Sequence, residues 1–157
     1  MKIGILKETL DGERRVAITP NIAKQLIASG FELLAEEGAG EYSSFKDSDY
    51  KNVGVAVEKR AVIFHEAEVL LKINPFDEED LKLVDKGQIL ISKLYHKSNP
   101  DLIKAIANKG VSAFSMDAIP RISRAQDMDV LSSQNNLAGY KAVILGAFEM
   151  TKIFPLM

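Results

Sequence analysis

Between residues 116 and 142 the chain gathers the side chains best suited to hold a ligand: Arg121, Arg124, Gln126, Asp127 and Asp129, flanked by Ser123 and Ser132. Guanidiniums, an amide and carboxylates at this density supply donors and acceptors in fixed order. That is equipment for gripping a polar, partly charged molecule rather than for breaking a bond. Other reactive groups are spread along the chain: Arg14 and Arg15 follow the first apolar run, Lys72 lies in the third, and Tyr95 and His96 follow the fourth. An ammonium rising from an apolar strand, as at Lys72, is costly unless it meets an anion or extends to water. A structural pair and a ligand contact both remain open for it. His65, in the segment 62–67, reads as structural, whereas His96 stands where a site would be and could serve either purpose. Gly38-Ala39-Gly40 lacks the third glycine of a dinucleotide loop and is followed by Glu41 and Tyr42 instead of an apolar helix start, so it reads as a plain turn. There is no metal-ligand spacing, nucleophile elbow or phosphate loop, and the absence of cysteine excludes a thiolate metal site, a disulfide framework and a Cys nucleophile.

These groups need elements to place them. Short apolar runs at Ile3 to Leu6, Glu32 to Glu36, Val69 to Ile73, Gln88 to Lys93 and Val111 to Met116 are predicted as strands, and they alternate with helical patterns. The alternation predicts βαβ units, a mainly parallel sheet and a flavodoxin/Rossmann-like α/β domain. Thr19-Pro20 opens one helix, closed by Gly30, and Asn99-Pro100 opens another, closed by Gly110. The acids from Asp77 to Asp80 read as a solvated, capped helix start. From Val130 to Phe154 the apolar pattern fits a helix of about 20 residues touching more than one neighbour, and the chain then leaves through Phe154-Pro155-Leu156-Met157. The expected organisation is an α/β domain over 1–128 and a bridging helix over 129–157. In a parallel sheet the polar residues after each strand converge at the carboxyl ends, where ligands bind.

Bulk properties narrow the partners. With 157 residues the chain can bury one sizeable core without staples. A net charge of −2 with mixed signs argues against nucleic acid. No stretch approaches the 18 or more apolar residues of a membrane span, and residues 1–6 enter a strand pattern directly, so the chain is expected to lie in water.

Several motifs together resemble a known family. Lys7-Glu8, Glu13-Arg14-Arg15-Val16-Ala17-Ile18-Thr19-Pro20 and Glu37-Gly38-Ala39-Gly40 are similar to the opening shared by alanine dehydrogenases and the alpha subunits of proton-translocating NAD(P) transhydrogenases. Pro120-Arg121-Ile122-Ser123-Arg124-Ala125-Gln126, then Met128-Asp129 and Ser132-Ser133-Gln134, then Asn136-Leu137-Ala138-Gly139-Tyr140, resemble the transhydrogenase pattern in particular.

The resemblance implies that the loop lies against the nicotinamide of NAD(H) and faces a partner domain that holds NADP(H). Arg121 and Asp129 would fix the carboxamide and the ribose or phosphate side, with Ser132 nearby. Gln126 would reach toward the second nucleotide, and the backbone of Ile122, Ser123 and Arg124 would wall the site. Hydride transfer between two nicotinamides requires no general acid, nucleophile or metal, so positioning is the main task. The resemblance further implies a homodimer in the complete subunit and NADP(H)-binding and membrane partner subunits. It also implies a cytoplasmic location peripheral to the membrane, and a following Rossmann domain with most of the nucleotide contacts. The sequence is thus expected to be the N-terminal piece of an NAD(H)-binding subunit, inactive alone. Two other readings stay open. An amino-acid dehydrogenase would use Arg15 and Lys72 for a substrate carboxylate, with Tyr95 where those enzymes place a histidine. A non-catalytic dimerisation module would use none of these groups.

Overall fold

Along β1 (Lys2–Ile5) the side chains alternate, Ile3 and Ile5 entering one apolar core while Gly4 and the following Leu6 face another. A strand buried on both faces belongs in the middle of a parallel sheet. The computed structural model describes residues 1–152. Five more strands follow, β2 (Glu32–Glu36), β3 (Ala56–Glu58), β4 (Val69–Leu71), β5 (Ile89–Ser92) and β6 (Ser112–Ser115). All six pair in parallel in the order β3-β2-β1-β4-β5-β6. Ile3 stands opposite Leu33 on one side and Val69 on the other.

Helices cover both faces. Ala23 of α1 (Pro20–Ala28) and Tyr50 of α2 (Asp47–Asn52) pack with Ile3, Ile5, Leu33 and Val69. Ile63 and Phe64 of α3 (Arg60–Glu66), Leu81 of α4 (Glu78–Leu83) and Ile106 of α5 (Pro100–Lys109) pack with Leu6, Leu34, Leu70 and Leu90 on the opposite face. The order of strands reverses between β1 and β4, so the connections leaving them diverge to opposite faces and open a crevice at their carboxyl ends.

The predicted α/β fold and its parallel sheet are present. The sheet also contains β3, absent from the expected strands because Ala56–Glu58 is a three-residue edge strand, too short to show an alternating pattern. β2 matches its expected range, whereas the other four expected strands end one or two residues earlier than their apolar runs: Lys72 and Ile73, for example, follow β4 as the chain turns over the sheet. Prolines at the starts of α1 and α5 act as expected, and Gly110 closes α5 with φ +67.

The chain divides into two compact units, Met1–Ala118 and Ile119–Met157. The second holds the polar loop and α6 (Val130–Glu149), which has the expected length of 20 residues. Its apolar residues surround the axis, and Leu137, Tyr140, Val143 and Phe148 are all exposed. No helix among the described residues is long and apolar enough to cross a membrane. The chain end at Phe154 to Met157 lies outside the described residues.

Candidate functional site

The polar loop is not irregular throughout. Ser123–Met128 winds into a 3₁₀ segment, with Ala125 as its buried anchor and hydrogen bonds from Ala125 N to Ile122 O at 2.9 Å and Asp129 N to Gln126 O at 3.1 Å. Short 3₁₀ turns eclipse residues three apart, which brings Ser123 and Gln126 to one side. Arg121, Ile122, Ser123, Gln126, Asp129 and Ser132, with Pro120 and Ala125, line a concavity of about 620 Å³. Arg124, expected to wall the site, is exposed outside that lining.

Asp129 ends the loop and begins α6. Its Oδ1 accepts the amides of Leu131 and Ser132, each at 3.0 Å, and its Oδ2 accepts the Ser132 hydroxyl at 2.6 Å. The Ser132 hydroxyl and amide hold the Asp129 carboxyl below the usual carboxylate range, and Arg121 adds to the effect, so Asp129 is ionised at neutral pH. The carboxylate thus caps the helix while remaining part of the concavity.

In the first unit, the carboxyl ends of the strands carry a second polar cluster. Glu8, after β1, accepts the amide of Ile73 at 2.6 Å, the amide of Asn74 at 3.2 Å and the Asn74 side chain at 3.0 Å. Asn74 Nδ2 also donates to Glu13 at 2.9 Å, and Glu13 pairs with the Arg15 guanidinium at 2.6 Å. The Arg15 hydrogen bond is the main reason the Glu13 carboxyl falls to about 2, with Asn74 assisting against the cost of burial. The amide of Asn74 therefore stands beside Arg15, and this cluster ties the β1 and β4 loops together.

Lys72 has a different destination. Its Nζ lies 2.7 Å from Asp80, each side chain 1% exposed, and 3.4 Å from the Thr9 hydroxyl. Arg60 forms a close ion pair with the other oxygen of Asp80 and a 2.6 Å pair with Glu36, whose carboxylate also accepts the Lys7 amide. Of the readings open for Lys72, the structure selects the buried pair. Asp80 corrects an expectation: it is not solvated but buried, because α4 turns it inward to meet Lys72 and Arg60. The capping box that binds Asp77 and Asp80 to each other's amides was visible in their three-residue spacing; the inward direction of Asp80 was not.

The remaining candidates fall apart from these clusters. His65 is exposed at the end of α3, and Arg14 and His96 are exposed. Gly38 has φ +70 and Gly40 packs against Phe45 and Tyr50, so the Gly-rich segment is a tight turn. Among the described residues no group of His, Asp and Glu is arranged to hold a metal ion. Glu8, Glu13, Asn74, Arg60 and Glu36 were not singled out as site residues in the sequence, since nothing in their spacing shows that two loops and a helix bring them together.

A doubly wound parallel sheet with polar clusters at its carboxyl ends, followed by a polar turn and a long helix, defines a ligand-binding α/β domain of the Rossmann type. The family described as alanine dehydrogenase/PNT, N-terminal domain, matches residues 4–138, and the chain belongs to that family. All of the chain aligns at 40% identity with the first portion of a divided NAD(P) transhydrogenase alpha subunit from Rhodospirillum rubrum, covering 42% of that protein. The crystal structure of a transhydrogenase from Sinorhizobium meliloti matches the whole chain with a TM-score of 0.93 at 38% identity, this chain covering 47% of that one. The alanine dehydrogenase of Bacillus subtilis is more distant, 31% identical over 94% of this chain and 38% of its own length. The chain spans about two fifths of the length of these curated relatives.

Proposed function

We propose that this chain is the N-terminal portion of the NAD(H)-binding component of an NAD(P) transhydrogenase, in which hydride passes between NAD(H) and NADP(H) and membrane partners couple the transfer to proton translocation. The observation that carries this reading is the concavity in which Arg121, Gln126, Asp129 and Ser132 converge. A nicotinamide carboxamide offers one acceptor and two donors; Arg121 supplies donors, the ionised Asp129 an acceptor and Gln126 both. The donor set fits the group. The greater identity to transhydrogenase alpha subunits than to alanine dehydrogenase supports the same choice.

When bound, the nicotinamide supplies the redox chemistry; the protein residues orient it and hold water away. In this reading Arg121 and Asp129 fix the NAD(H) ring, the backbone of Ile122 and Ser123 borders it, and Gln126 reaches toward the NADP(H) held by a partner domain. Holding two rings at reacting distance is worth on the order of 7–11 kcal/mol, which matches a site without general acid or base. The α/β domain is assigned to 1–128, and the remainder, with α6 as its bridging helix, leads to a Rossmann domain that holds most of the nucleotide. The complete subunit forms a homodimer and sits on the cytoplasmic side of the membrane through its partner subunits. An amino-acid dehydrogenase reading is disfavoured because Lys72 is committed to Asp80 and Arg15 to Glu13.

The test is Arg121→Ala in the complete subunit assembled with its NADP(H)-binding and membrane partners. NADH-to-NADP⁺ hydride transfer falls by on the order of 100-fold while thermal unfolding is unchanged, since Arg121 is exposed. Unaltered transfer would overturn the assignment and favour a dimerisation module. Micromolar NADH binding by the 157-residue chain alone would contradict the requirement for the second domain.

A further inference from the structure

Ala125 is the single buried residue among those described in the second unit, 5% exposed, while its neighbours from Pro120 to Arg124 and from Gln126 to Met128 are all exposed. It lies inside the 3₁₀ segment Ser123–Met128, a run of six residues. Such runs commonly stop at three or four residues because their hydrogen bonds are poorly aligned, so this one needs support beyond its own backbone. The three-residue period sorts its side chains. Ser123, Gln126 and then Asp129 line the concavity, whereas Arg124 and Asp127 are exposed outside it. Ala125 falls between these two rows, and its amide donates to the Ile122 carbonyl at 2.9 Å. Its methyl is the one packed point of a turn whose other side chains stand in water.

We propose that Ala125 is a positioning residue: its buried methyl holds the 3₁₀ turn in the orientation that carries Ser123 and Gln126 into the concavity, and so sets the alignment on which hydride transfer depends. The proposal rests on the transhydrogenase reading and goes a step beyond it. Ala125 offers a ligand no polar group, so it acts only through the residues on either side of it. The size of its side chain is what matters. Glycine removes the packed contact and adds backbone freedom, whereas a larger side chain pushes the turn off its seat. A displacement of about 1 Å in a positioning group can cost on the order of 100-fold in rate. Ground-state binding suffers less, because in that reading the following domain holds most of the nucleotide.

The experiment compares the complete, partner-assembled protein with its Ala125→Gly, Ala125→Val and Ala125→Ser variants in NADH-to-NADP⁺ hydride transfer, with hydrogen exchange followed at the amides of residues 125 and 129. Ala125→Gly lowers kcat by about 10- to 100-fold while KM for NADH changes by less than about threefold, and exchange at both amides speeds up by more than about tenfold. Glycine is smaller than alanine, so this loss cannot come from filling the concavity. Ala125→Ser keeps the Cβ and recovers most of the rate, whereas Ala125→Val does not. An unchanged kcat in Ala125→Gly, or a loss confined to Ala125→Val, overturns the proposal. So does a fall in kcat without faster exchange, or unfolding of both Ala125→Gly and Ala125→Ser at the assay temperature, which would mark a purely structural anchor. If Arg121→Ala loses transfer and Ala125→Gly keeps it, this proposal falls alone; if the unsubstituted protein transfers no hydride, the transhydrogenase reading falls with it.

Discussion

Lys72 and Asp80 form a pair 2.7 Å apart in which neither side chain is more than 1% exposed, and Asp80 simultaneously meets Arg60. One carboxylate therefore answers two cations, one rising just past β4 and one at the start of α3. Removing it leaves both without their common anion in a region closed to water. Asp80→Ala is expected to cost about 3–5 kcal/mol, seen as an early midpoint in denaturant unfolding. A loss below about 1 kcal/mol would mean that water reaches Lys72.

Acid should weaken the cluster that joins the β1 and β4 loops. The Glu13 carboxyl, held at about 2 mainly by Arg15, lies below its ordinary value of 4.5. A depressed carboxyl stabilises the folded state above the unfolded value, and that contribution is lost as pH falls through the folded value. Stability should therefore decline between pH 4.5 and about 2, and Glu13→Gln should flatten this portion of the profile in denaturant titrations at stepped pH. An unchanged slope in the variant would show that Glu13 is not the titrating group.

Asp129 caps α6 and, in the proposed function, also holds the nucleotide; substitution can separate the two. Serine can accept a helix amide as a cap but carries no charge, so Asp129→Ser should retain much of the protection of the Leu131 and Ser132 amides against hydrogen exchange. If the proposed function holds, hydride transfer by the complete, partner-assembled protein should still fall by on the order of tenfold or more. Asp129→Ala should lose both. If Asp129→Ser transfers hydride as well as the parent, the carboxylate serves the helix alone.

Gly40 is expected to tolerate no side chain. A Cβ there would lie 2.8 Å from Phe45 Cβ, 2.8 Å from Tyr50 Cε2 and 2.9 Å from the Phe45 carbonyl. Tyr50 cannot yield easily, since it is buried and its hydroxyl donates to the Ile18 carbonyl at 2.8 Å. Gly40→Ala should cost about 1–3 kcal/mol by overpacking, read from thermal unfolding, whereas nucleotide affinity of the complete protein should be little changed. The opposite pattern would restore a ligand role to the Gly-rich turn.

Buried Ser92 supplies a converse case. Its hydroxyl has no hydrogen-bond partner among the described residues. Ser92→Ala should leave stability within about 1 kcal/mol or raise it, because it removes a desolvated polar group that returns nothing. A larger destabilisation in urea unfolding would indicate that the hydroxyl is bonded in solution.

Local chemistry made much of the fold legible. Apolar runs flanked by glycine and proline marked the long strands, and Thr19-Pro20, Asn99-Pro100 and Gly110 marked the helices, because φ restriction and helix-end hydrogen bonding act over a few residues. The residues lining the concavity, from Arg121 to Ser132, were legible for the same reason: they are neighbours in sequence, wound into one 3₁₀ turn and capped by Asp129. Edge strand β3 was not, since three residues paired on one side are too few to show a two-residue alternation.

Fold class, the starts of α1, α4, α5 and α6 and the grouping of polar residues before α6 are thus written in short stretches of the chain. Three-dimensional packing was needed to establish that the sheet runs β3-β2-β1-β4-β5-β6, that Lys72 turns to Asp80 while Asn74 stands beside Glu13, and that Tyr95 is held in a left-handed backbone by Asp117. Strand order and these pairings join residues far apart in the chain. Their energies depend on which groups lose water together, a property of the packed molecule that no short window of sequence contains.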